Sequence, residues 1–363
     1  MNLLLDDSLL DDAERLASAD GRAGGCLRAV ASAGAQVRAT IETAAEIGVD
    51  ALEGTRPRAL VIVTRPGVAP AVAQLLVALL PPGCSVPVVL ADDVPSWAGA
   101  LDVVLVHSED PGDHALAASI DRARRFGATV VITAAEEGPV AAAAAGTLLL
   151  PPRISLPPGF GYPRALAAGL ILLNTLGLLR TDVQALADEL DREAERDHAN
   201  FESFVNPAKS LALRIADHTP LLCGLDPVAT AVAAHAAEVL AGFAGIVASH
   251  AGYSQVCSRR VLYRSAIGAS AGADIFADPD EVGPSGPRAL LLSITEDPQA
   301  MANRLAATDD LPAADLVLPA EETTGGTAVR AAVLALRFEM ASVYLGLASG
   351  MLGGSGRYEP VNA

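Results

Sequence analysis

The sequence predicts an α/β protein built from two successive three-layer α/β/α units, each with a mostly parallel sheet. Three observations predict it. Short β-branched runs, apolar on both faces, alternate with segments of helical length. That rhythm occurs twice along the chain, and a proline-rich stretch followed by a charged helix separates the two occurrences. With 363 residues, 51% of them apolar and 19% charged, the chain has material for two cores and is not mainly disordered.

In order, residues 1–55 read as helical, with apolar residues at helical spacing in LLDDAERLA and VRATIETAAEIGVDAL. They are expected to pack on the first domain, residues 56–204. Strands follow at Ala59–Thr64, Val86–Ala91, Val103–His107, Thr129–Thr133 and Thr147–Leu150, with helices over Ala69–Leu80, His114–Phe126 and Glu136–Ala145. Pro151–Pro163 carries too many prolines for a regular element and reads as a crossing loop. A long apolar helix, Arg164–Leu179, and an amphipathic charged one, Thr181–Phe204, lead to the second domain, residues 205–363. There the strands are Leu221–Gly224, Gly245–Ser249, Ala289–Ile294 and Ala314–Pro319. Asp226 caps a helix with Pro227 at its first position, and a long apolar helix, Thr327–Leu347, precedes a Gly-rich tail.

Charge narrows the partners. Acidic residues number 43 against 25 basic ones, a formal net charge of −18, so the averaged field repels nucleic acid and anionic membranes. Aromatics at 4% leave few platforms for stacking bases. Only one lysine, Lys209, is present, so lysine chemistry has a single candidate. Cys26, Cys84, Cys223 and Cys257 are widely spaced with no C-x-x-C pair and read as isolated reduced thiols. The acidic N-terminus lacks the basic start of a signal peptide. No uninterrupted apolar run reaches the roughly 20 residues that span a bilayer. The expectation is a cytoplasmic protein.

Several stretches, in order, resemble the bacterial and archaeal bifunctional phosphoglucose/phosphomannose isomerases, in their divergent TobH-like branch. They are LDDAERLASADGRAGGCLRAV, PPGFGYPRALAAGL, NPAKSLALRIADHTPLLCG (Asn206–Gly224, the nearest match), IFADPDEVGPSGPRALLLSITEDP and FEMASVYLGLASG. The resemblance covers essentially the whole chain. It implies two sugar-isomerase (SIS) domains, a homodimer, a sugar phosphate or related sugar derivative as ligand, and neither cofactor nor metal.

It also implies a site, and here the chain departs from the family. Isomerisation of a sugar phosphate needs a phosphate-binding loop, a carboxylate to shuttle a proton and a cation for the enediolate. The first phosphate loop corresponds to Thr64–Ala69, where prolines and a valine replace donors; Arg65 is either a compensating forked donor or a surface residue of a plain turn. The second corresponds to His107–His114. Ser108 is retained there, but Glu109, Asp110 and Asp113 surround it. A dianion about 5–6 Å from one carboxylate, at an effective dielectric near 20, is repelled by about 5–7 kcal/mol before screening. The bland account is local: Asp110 caps a helix beginning at Pro111, and Asp113 favours its dipole. With Thr133, Arg65 and Ser108 make up the expected ligand contacts. Arg164 matches the family's enediolate-stabilising arginine, or else anchors a helix start. His250 matches the ring-opening histidine, or else is structural. The family's proton-transfer glutamate falls on Ala241–Gly245, which has no carboxylate; Glu238 is one turn earlier. The family's late lysine falls near Tyr344, and Asn206 and Lys209 read as helix-start and packing residues.

The resulting expectation is a catalytically impaired relative that binds a carbohydrate derivative or regulates hexose-phosphate metabolism. Two alternatives remain open: an active glucose/mannose 6-phosphate–fructose 6-phosphate isomerase using Arg164 with His250 or Glu238, and a protein-interaction scaffold. No G-x-G-x-x-G follows a strand, which argues against a dinucleotide site.

Overall fold

In the computed structural model, which describes residues 6–270 and 287–352, the strands form two separate parallel sheets. The IFADPDEVGPSG part of one family-like stretch and the Gly-rich tail lie outside the described residues. The chain runs α1 (Ala13–Arg22), α2 (Cys26–Ala31), α3 (Ala33–Glu46), β1 (Ala59–Val63), α4 (Ala69–Leu79), β2 (Val88–Ala91) and β3 (Asp102–His107). It continues through α5 (His114–Arg125), β4 (Thr129–Thr133), α6 (Pro139–Ala143), β5 (Leu148–Leu150), α7 (Tyr162–Thr175), α8 (Val183–Arg196) and α9 (Pro207–Ile215). The second sheet's elements are β6 (Pro220–Gly224), α10 (Pro227–Ala244), β7 (Ser249–Gly252), α11 (Tyr253–Ser258), α12 (Arg260–Ser270), β8 (Arg288–Leu292), α13 (Pro298–Asp310), β9 (Asp315–Val317) and α14 (Thr327–Ala348).

One unit, Ser32–Asp191, holds the sheet ordered β2-β1-β3-β4-β5. Alternate residues of its central strands face opposite layers. Val61, Val63, Val104, Val106, Val130 and Ile132 pack with Leu116, Ile120 and Val140 of α5 and α6. Leu60, Ile62, Val103, Leu105 and Val131 are buried on the other face, where α4, α7 and α3 cover the sheet. Burial on both sides is why these strands read as continuous apolar runs.

The other unit, Met1–Ala31 with Arg192–Ala363, holds the sheet ordered β7-β6-β8-β9. Leu221, Cys223, Leu291, Val256, Ala266 and Ala307 form one face of its core. Helices α10 and α14 pack together on the opposite side. By length and composition both could cross a bilayer, but α14 is wholly buried within the unit and α10 largely so.

The division corrects the expected boundaries at 55 and 204. Residues up to Ala31 belong with the second sheet: the Asp6 amide donates to the Ala348 carbonyl at 3.0 Å, and Lys209 Nζ donates to the Leu10 carbonyl at 2.5 Å. Only α3 and the turn after it join the first sheet's unit, where α3 packs on α7. The later boundary falls inside α8, because its last turn is tied to the second unit through Glu193 Oε1 and Arg337 Nε at 2.6 Å.

The strand expected at Gly245–Ser249 is also displaced. Gly245 is the left-handed cap of α10 (φ 66°), Val247 is exposed, and the pairing residues are Ser249–Gly252. Helices α11 to α13 had no counterpart in the sequence reading.

Candidate functional site

In the order β2-β1-β3-β4-β5 the chain leaves β1 for one side and returns to pair β3 on the other. The carboxyl ends of β1 and β3 therefore diverge, and such a crossover is where open parallel sheets hold ligands. The sequence places Thr64–Val68, Ser108–Asp113, Thr133 and Arg164 there, Arg164 in the first turn of α7. Four of the five expected site residues thus share one sheet edge.

Three of those four are committed to local structure. Arg65 donates from Nε to Asp113 Oδ2 at 2.7 Å and from Nη2 at 2.5 Å, and Nη1 lies 3.5 Å from Asp93. The Ser108 hydroxyl donates to the Asp110 carbonyl at 2.9 Å, and its amide to the Thr133 carbonyl at 2.9 Å. The Thr133 hydroxyl pairs with His107 Nδ1 at 2.5 Å.

The carboxylates of the acidic loop separate into different jobs, which corrects the expected cap. Helix α5 begins at His114, and its cap is Asp113, whose Oδ1 accepts from the Leu116 amide at 2.9 Å. Burial works against the charged form of Asp113, but the Leu116 amide and Arg65 hold its carboxyl below the usual range. Asp110 instead closes a turn, Oδ1 accepting from the Gly112 amide at 2.8 Å.

Glu109 alone turns inward. Its carboxylate lies over two glycines: a Cβ on Gly67 would meet Oε2 at 2.6 Å, and one on Gly161 would meet Oε1 at 2.9 Å. Gly67 also has φ +108°, so a side chain there would be strained by the backbone besides displacing the Glu109 carboxylate. Burial raises the Glu109 pKa, while the Arg164 charge and the amides of Gly159, Gly161 and Val68 favour its charged form. Arg164 is held below its ordinary pKa by burial, with Glu109 opposing. Arg164 forms no ion pair among the described residues, and its buried Nε has no hydrogen-bond partner. His107 is buried and neutral: burial, then repulsion from Arg164, lowers its pKa to about 3. Its Nε2 has no partner and points at the position beside Gly161, 3.4 Å from where a Cβ would stand. The sequence reading missed the inward turn of Glu109 and the part of His107. The available signal was a lone Glu directly after a strand whose neighbouring loops carry glycines at 67, 159 and 161.

The second sheet has its own crossover, between β6 and β8. There Asp226 caps α10 as expected, Oδ1 accepting from the Ala229 amide at 2.8 Å. Its Oδ2 also accepts from the Ile294 amide at 2.8 Å and the Thr295 amide at 3.2 Å, bridging the loop after β8. His250, the fifth expected residue, belongs to this unit, in the exposed edge strand β7 opposite Leu222. Glu238 is exposed on α10. Lys209 is buried, donating to the carbonyls of Leu10, Ala199 and Phe201 at 2.5, 2.7 and 2.6 Å, and Asn206 caps its helix. Tyr344, in the place of the family's late lysine, covers Lys209 and donates to the Asp197 carbonyl at 2.6 Å. Among the described residues, no three His, Cys, Asp or Glu side chains are gathered as a metal would need.

No protein-family profile matches the chain, and no curated protein sequence does either. Solved structures match over nearly its whole length. An inferred phosphosugar isomerase from Silicibacter pomeroyi aligns at 17% identity and TM-score 0.60, covering 90% of this chain and 98% of its own. A hypothetical protein from Thermus thermophilus aligns at 14% and 0.65, covering 98% and 92%. The tagatose-6-phosphate ketose/aldose isomerase of Escherichia coli aligns at 10% and 0.58, covering 95% and 97%. At these identities the likeness establishes the fold: two α/β units of the SIS type, as in phosphosugar isomerases.

Proposed function

We propose that the chain is a SIS-fold protein that binds a carbohydrate derivative, or regulates hexose-phosphate metabolism, without aldose–ketose isomerase turnover. The observation that carries this reading is the Glu109 carboxylate lying over Gly67 and Gly161 at the first crossover. A phosphate dianion brought to that opening meets a fixed negative charge, and Arg65, which could have offset it, is spent on Asp113. The lost family glutamate and lysine point the same way. So do the exposed Glu238 and the structural engagement of Lys209. The fold shared with phosphosugar isomerases supports a sugar-derived ligand class; a homodimer and a cytoplasmic setting are further parts of this proposal.

The test is turnover of fructose 6-phosphate to glucose or mannose 6-phosphate by the purified chain. The expected result is no conversion above the uncatalysed rate; turnover at about 1 per second, within the range of ordinary enzymes, overturns the reading. A second reading has one observation in its favour: Glu109 stands within the field of Arg164, a carboxylate beside a cation as proton transfer requires. It requires wild-type turnover that Glu109→Gln abolishes in a folded protein. The scaffold alternative predicts no thermal stabilisation by any sugar phosphate or sugar.

A further inference from the structure

We propose that the first crossover is an oxyanion site whose occupant is the chain's own Glu109, so that this side chain acts as a built-in competitor for a small external oxyanion. The proposal rests on the reading of a site that binds without turnover, and it says what is bound and what blocks it.

Donors converge on one place and are under-used there. Arg164 has a buried Nε with no hydrogen-bond partner and forms no ion pair among the described residues. His107 is 6% exposed, and its Nε2, also without a partner, lies near Gly161 as Glu109 Oε1 does, the two atoms 3.4 and 2.9 Å from where a Cβ on that glycine would stand. Nδ1 of the same ring pairs with the Thr133 hydroxyl at 2.5 Å, so in the tautomer with its proton on Nε2 the imidazole offers an N–H on that side. The amides of Val68, Gly159 and Gly161 act on the same carboxylate, and Val68 and Gly161 are the caps of α4 and α7, whose N-terminal ends favour negative charge. Glycine at 67 and 161 lets an oxyanion lie against the backbone. One guanidinium with several N–H groups matches a singly charged oxyanion group, and the chain supplies one covalently. Removing the Glu109 side chain would leave the donors without their anion.

The experiment is thermal unfolding of the full chain as Glu109→Ala in 50 mM phosphate, in 50 mM acetate, and in sodium chloride of matched ionic strength, with wild type alongside. If the anion is about ten times its dissociation constant, the midpoint of Glu109→Ala rises by about 3 °C over chloride in at least one of the two anions. Wild type and the Glu109→Ala/Arg164→Ala double variant do not shift. A response to phosphate alone identifies a phosphoryl ligand, and one to acetate alone a carboxylate ligand; either supports the proposal. A folded Glu109→Ala that responds to neither, or a wild type that responds equally, overturns it. Glu109→Ser is read the same way if the alanine variant does not fold, and failure of both to fold with and without anion also overturns it. Wild-type turnover would refute the functional reading alone, whereas a missing anion response refutes only this one.

Discussion

The two sheet crossovers meet the same problem and close it differently. Each leaves an opening between diverging strand ends, rimmed by helix N-termini, and at each one carboxylate reaches across to a neighbouring loop. Asp226 closes the second with both oxygens engaged, at 2.8, 2.8 and 3.2 Å from three backbone amides. Its short side chain is a helix cap first and a clasp between the loops after β6 and β8 second. Glu109 closes the first by reaching inward over glycine. It remains half-buried with a raised pKa, near a guanidinium Nε and an imidazole Nε2 that have no hydrogen-bond partner. The contrast separates a carboxylate that holds structure together from one that stands where a ligand would. In the first, both carboxylate oxygens are bonded to backbone amides; in the second, buried nitrogens near the carboxylate are left without partners.

The largest effect is expected at the clasp. Asp226→Ala removes a cap worth about 1 kcal/mol and strands two amides beyond β8, so urea unfolding should show a loss of about 3–4 kcal/mol. Arg65→Ala, which releases Asp113 while leaving its cap bond in place, should cost about 1 kcal/mol and leave sugar binding unchanged. The smallest effect is a pH dependence. Because the folded pKa of Glu109 lies above its ordinary value, its contribution is present at low pH and is lost as pH rises through that raised value. Glu109→Gln should therefore gain on wild type in thermal midpoint from pH 4 towards pH 7; a gap that shrinks over this range would mean the carboxylate is better paired than its surroundings indicate.

Much of this arrangement is legible in the sequence, and the parts that are not have physical reasons. The strands β1 to β5 show because both faces are buried, and the Asp226 cap shows because Asp-Pro before an apolar helix is local chemistry. Strand β7 does not show: SHAG has no β-branched residue, and the apolar GIVA before it is a helix end and an exposed turn. Arg164, Ser108, Thr133 and Arg65 could be placed at one edge from order alone, but their partners could not. Three acidic residues within five positions look like one repulsive cluster, whereas the backbone sends Asp113 to a cap, Asp110 to a turn and Glu109 inward. Side-chain direction within a loop depends on loops remote in sequence, here those carrying Gly67 and Gly161. Lys209 was readable as a packing residue because Asn-Pro before it signals a helix start, but its three carbonyl partners come from residues 10, 199 and 201.

The contrast between clasp and occupant is tested most directly by the unfolding free energies of Asp226→Ala and Glu109→Ala, measured side by side in urea at pH 7.5. If Glu109 sits in a ligand's place, losing it costs at least about 2 kcal/mol less than losing Asp226, because few of its bonds hold the fold together. Equal losses would make Glu109 a second clasp and contradict the account.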